Sequence, residues 1–105
     1  MIKTLLLTLT ICSFNTTASE HCSVWADIAE NVMESRQNNI TQEQMLHILA
    51  ETTSIPEEAK GGVASIITAA YNNPVQPYIQ GKLSVIKMFG DAIFIQCLKE
   101  TATEV

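Results

Sequence analysis

Basic residues and cysteines are scarce in this chain, and each scarcity excludes something. Six Lys and Arg stand against eleven Asp and Glu, and Arg36 is the only arginine. That balance leaves no basic patch of the kind that nucleic acid or an anionic membrane surface requires. The cysteines are Cys12, Cys22 and Cys97, and with His21 and His47 they form no zinc-ligand spacing. Catalytic motifs are missing as well. No Gly-x-Ser-x-Gly elbow occurs, and Lys60-Gly61-Gly62 lacks the frame of a phosphate loop. No segment after the N-terminus approaches the roughly 20 apolar residues that span a bilayer. The longest, Ala92 to Leu98, is interrupted by Gln96. No catalytic residue, no cofactor and no membrane insertion of the processed chain are therefore expected.

What is present starts with Met1-Ile2-Lys3, an apolar stretch from Leu5 to Phe14, and the small-residue segment Thr16-Thr17-Ala18-Ser19. Thr16 and Ala18 occupy the −3 and −1 positions of a cleavage site, so residues 1–18 read as a secretory signal peptide and 19–105 as a single helical domain. Retention as an anchor would need an apolar core longer than about ten residues. Lipidation of Cys12 would need a small residue where Ile11 stands. Cleavage removes Lys3 and Cys12, leaving five basic residues against eleven acidic ones and two cysteines. In an oxidising compartment a Cys22–Cys97 disulfide is the default. A domain of roughly 87 residues has a marginal core, for which such a staple is physically useful.

Four helical segments follow, separated by turn chemistry. The first spans about Cys22 to Gln37; projected at about 100° per residue, Cys22, Trp25, Ala29, Val32 and Met33 share one face. Asp27, Glu30 and Glu34 form the opposite stripe, and Asn38-Asn39 ends the segment. In the second, Thr41 and Gln44 form a capping box with Ile40 and Met45 placed as a hydrophobic staple, and Met45, Leu46, Ile48 and Leu49 are its apolar residues. The third is expected to be capped by Ser54, with Glu57 at the third position, and carries Ile55, Ala59, Val63, Ile66 and Ala70 to Asn72-Asn73-Pro74. Within it Gly61-Gly62 marks either close approach of a neighbouring helix or a local break. After the stiff link Pro74-Val75-Gln76-Pro77, the fourth runs from Ile79 or Gly81 to Glu100 with Leu83, Ile86, Phe89, Gly90, Ile93, Phe94 and Cys97 on one broad face. Short links favour a small all-α antiparallel four-helix bundle closed by one disulfide, since the ends bearing Cys22 and Cys97 then become neighbours.

Three surfaces stand out as candidates. Val85, Met88, Ala92 and Ile95 make a second apolar seam on the fourth segment. Either that helix is covered on both sides, or the seam is an interface for a second subunit or another protein. Arg36 projects onto the apolar face of the first segment. There it either snorkels outward at the helix end or pairs with a buried carboxylate, fixing helix register or meeting a partner at an interface. Cleavage after Ala18 would expose Ser19-Glu20-His21, whose amine, amides and imidazole can hold Cu(II) or Ni(II) in a square plane. The stripe Asp27, Glu30, Glu34 reads as a solvated face, or as a docking surface for a basic partner. Asn39-Ile40-Thr41 is a glycosylation sequon, relevant only in a eukaryotic host.

Met33-Glu34-Ser35-Arg36-Gln37 after a Cys-bearing helix, Ala70-Tyr71 before a proline-containing link, and a last helix with Phe89 and Cys97 resemble small exported, two-cysteine helical proteins of proteobacteria and their phages. The resemblance covers most of the chain after residue 18, implies a Gram-negative periplasm and transfers no activity. Residues and resemblance together point to a periplasmic protein-binding module of inhibitor or immunity type, partnered by another protein or by itself. The alternative is a metal or small-ligand binder that uses the N-terminal site or a bundle pocket.

Overall fold

The computed structural model describes residues 2–103, with side chains described for 19–102. The expected leader side chains, Cys12 among them, lie outside that range. Four helices make up the described chain, with no strand among its residues: α1 (Ile2–Gln37), α2 (Gln42–Glu51), α3 (Glu57–Tyr71) and α4 (Ile79–Thr103). The helix expected from Cys22 extends further toward the N-terminus, so Ser19-Glu20-His21 are helical.

Local chemistry accounts for most of the helix ends. At the end of α1, Asn39 takes a positive φ of 67°, Ile40 N donates to Ser35 O at 3.0 Å and Asn39 N to Arg36 O at 3.1 Å. This is a Schellman termination, with asparagine tolerating the left-handed position. Two residues later the expected capping box starts α2: Gln44 N donates to Thr41 Oγ1 at 3.1 Å, and Thr41 N donates to Gln44 Oε1 at 2.9 Å. The expected Ser54 cap is not used. The residue at the N-cap of α3 is Pro56, without a side-chain cap bond. Proline disfavours helical backbone in the residue before it, which keeps Ile55 out of the helix and leaves it packed against the core. No break occurs at Gly61-Gly62; α3 continues through both. A Cβ on Gly62 would lie 2.9 Å from the Trp25 ring, whereas one on Gly61 would meet nothing. Close approach therefore explains the second glycine only.

The buried core comes from three helices. Ala29, Val32 and Met33 of α1, Leu49 of α2, and Val63, Ile66, Ile67 and Ala70 of α3 form one cluster. Most of these were expected from the apolar faces; Ile67 was not. Leu46 and Ile48 of α2, read as apolar-face residues, are exposed. α4 packs on α1, where Val85, Ile86, Phe89 and Ile93 reach the cluster half-buried, and among the described residues of α4 only Gly90 is buried. Leu83, expected on its inner face, is 61% exposed.

Candidate functional site

The two ends of the α1–α4 pair are fastened by different chemistry. At one end Cys22 and Cys97 form a disulfide with Cα atoms 5.5 Å apart. Halfway along, Gly90 lies against the Glu30 side chain, which any Cβ placed there would strike. At the far end Lys82 Nζ donates to Gln37 O at 2.8 Å, supplying a cation to the C-terminal carbonyls of α1. Positions 22, 30 and 37 of α1 thus meet 97, 90 and 82 of α4 in reverse order.

The far end gathers several residues of the motifs read from the sequence into a polar knot. Arg36 is half-buried; its Nε donates to Asn73 O at 3.0 Å and its guanidinium lies 5.1 Å from the centre of the Tyr71 ring. Among the described residues it therefore neither snorkels free nor meets a carboxylate: it holds the end of α3 and stacks on an aromatic face. The Tyr71 hydroxyl donates to Ile40 O at 2.5 Å. Burial raises the Tyr71 pKa above its ordinary value of 10.0, and Arg36 offsets part of that rise. Gln37, which sequence reading missed, is 1% exposed and has all its needs met. Its Nε2 donates to Pro74 O at 3.1 Å, and its Oε1 accepts from Gln76 N at 2.7 Å. A side-chain amide can satisfy one donor and one acceptor of a passing chain at once, so Gln37 fixes the path of the α3–α4 link. The sequence signal was the glutamine in the last turn of α1, in line with Met33; the position of the link supplies the rest.

Between α1, α3 and α4 at the disulfide end runs an open groove of about 680 Å³. Trp25, Ile66 and Ile93 give it apolar walls, and His21, Gln96 and Glu100 are among its polar lining residues. Trp25 Nε1 donates to His21 Nε2 at 3.3 Å. Ser19 and His21 are exposed on a continuous helix, so residue 19 has no free amine in this chain; the square-planar site belongs only to a processed form. Among the described residues no three His, Cys, Asp or Glu come together to hold a metal ion.

The remaining candidates separate across the molecule. Asp27 and Glu34 are exposed, whereas Glu30 is half-buried against Gly90, because helix contact continues round to its side of α1. The stripe expected as one solvated row is thus interrupted in its middle. Of the α4 seam, Met88 is 67% and Ile95 52% exposed, and Ala92 is exposed too. Val85 departs from it: half-buried, it packs against the core cluster. Charge is divided in the same way. Residues 19–78 carry eight acidic side chains and two basic ones, while residues 79–105 carry three of each. Among the described residues no helix is long and apolar enough to cross a membrane. No protein-family model, curated protein or solved structure matches this chain.

Proposed function

We propose that this is a periplasmic, non-enzymatic protein-binding module of inhibitor or immunity type. Its leader is removed on export, and its helices act as a small antiparallel four-helix bundle. One observation carries the binding role: the outer strip of α4, Met88, Ala92 and Ile95, is apolar and uncovered on a helix whose inner side is already fastened to α1. A helix that needed no partner would be polar there. The reverse-order contacts between α1 and α4 support the bundle. The exposed acidic residues Asp27 and Glu34 suit a basic partner, and the disulfide suits an oxidising compartment. The resemblance to exported proteobacterial and phage proteins leads to the same compartment.

The test is a photo-crosslinking amino acid at position 88 of the exported protein. A discrete protein adduct, lost when Ile95 is also changed to Glu, is the expected result. A folded, exported protein that gives no adduct overturns the proposal. The groove favours a second reading, a small amphipathic ligand seated between Trp25 and Glu100. Trp25 is the only tryptophan, so its emission reports such a ligand directly.

A further inference from the structure

We infer that the outer face of α4 takes α4 of a second copy of this chain, antiparallel across a twofold axis at Met88. This rests on reading that face as protein-binding and names its partner. Charge is the first argument. Two copies that each carry five basic and eleven acidic residues after leader removal repel one another over most of their surfaces. α4 is the exception, with Lys82, Lys87 and Lys99 offsetting Asp91 and Glu100. The apolar strip therefore lies on the one helix that a like-charged copy can approach without that penalty.

Spacing is the second argument. Ser84, Met88, Ala92 and Ile95 follow one another at intervals of four, four and three and share one stripe on the side away from Cys97 and Gly90. Pairing two such stripes antiparallel about Met88 sets Ser84 opposite Ala92 of the second copy. Small residues then flank the two methionines, and Ile95 lies over the first helical turn of the other α4. A bulky thioether between small neighbours packs well at such a crossing.

The third argument is the edge of the stripe. Lys87 and Asp91 are exposed and 3.7 Å apart within one chain. A twofold axis at Met88 brings Lys87 of each copy within one helical turn of Asp91 of the other. The same two residues thus make two reciprocal ion pairs across the interface. A self-complementary patch of this kind is what a twofold contact requires. A contact between single helices is small, so the dimer is expected to exchange with monomer in the micromolar range.

The experiment is sedimentation equilibrium on the exported, oxidised and processed protein across a concentration series, beside three variants. Wild type is expected to dimerise reversibly, and Met88→Glu/Ile95→Glu to remain monomeric with unchanged helical circular dichroism. Lys87→Asp should weaken the dimer roughly tenfold, and adding Asp91→Lys should restore it. The inference is overturned by a monomeric wild type, by a dimer that survives the double glutamate change, or by a charge swap no better than Lys87→Asp. A monomeric wild type whose position-88 crosslinker captures a different protein removes the dimer and leaves the binding role standing. A monomer that captures nothing removes both.

Discussion

α1, α2 and α3 supply the buried cluster, whereas α4 lies half-buried along α1 and is also tied to it at discrete points. The first three helices supply every member of the buried apolar cluster, and their contacts are diffuse. α4 is longer than α2 or α3 and rich in apolar residues, yet among its described residues Gly90 alone is buried. Discrete ties add to its half-buried packing on α1: the disulfide at Cys97, the close approach of Gly90 to Glu30, the Lys82 bond to Gln37, and the link that Gln37 anchors. A few strong attachments can orient a helix without enclosing it. Its outer face then stays available, which wrapping in core would have prevented. Diffuse burial fails gradually when one side chain is trimmed; a fastening fails at once and locally.

Removing the disulfide tests that contrast most severely. Closing a loop over a sequence separation of 75 is worth about 4 kcal/mol in the chain-entropy model. Cys97→Ser should therefore lower the melting temperature by roughly 15–30 °C in a domain this small. The distribution of the loss matters more than its size. Amide exchange should quicken in α4 well before it does in α1 and α3. Uniform acceleration would mean that α4 shares the core's cooperativity, and an unchanged melting temperature would mean that the bridge is idle.

Gln37→Ala attacks the fastening at the other end. It leaves Pro74 O and Gln76 N without their side-chain partners and opens a hole in a closed site, at a cost of about 3 kcal/mol. Denaturant unfolding should register it. A loss below about 1 kcal/mol would show that water replaces the amide and that the link is not fixed there. Nearby, Tyr71 gives a smaller, pH-dependent version of the same test. Its folded pKa is raised, so the folded state holds the phenolic proton more tightly than the unfolded chain does. Its contribution is complete below pH 10 and is lost as pH rises through the folded pKa. Tyr71→Phe should cost about 1 kcal/mol at neutral pH and should flatten part of the alkaline decline. An alkaline profile identical to wild type would place that decline elsewhere.

The sequence reveals what is local and loses what depends on a neighbour's path. The α2 cap was legible because Thr41 and Gln44 satisfy one another within one turn. The disulfide was legible because both cysteines lie on apolar faces at ends that meet. Ser54 misled because its spacing to Glu57 fits a capping box, yet Pro56 biases Ile55 away from the helix. Arg36 was legible as unusual, but Asn73 and Tyr71, which receive it, come from α3 and the link beyond. Gln37 went unseen for the same reason. On α4, Val85 packs against the core and Leu83 is exposed, because periodicity gives a face and does not say which neighbours cover its edges. The acidic stripe failed at Glu30 alone, where a glycine on α4 lets the two helices come close.

The two adjacent glycines of α3 give the mildest test and compare a contacted with an open helix surface one residue apart. Gly61→Ala adds a methyl group to empty space and removes backbone freedom from the unfolded chain. It should stabilise the protein by about 0.5–1 kcal/mol. Gly62→Ala gains the same propensity, but its methyl group would stand 2.9 Å from the Trp25 ring. The ring is half-buried and must tilt toward the groove, so the gain is offset and Trp25 emission should change. If both substitutions stabilise equally and leave the fluorescence untouched, the contact is loose. The close approach that Gly62 permits between α1 and α3 would then not be what keeps alanine out of that position.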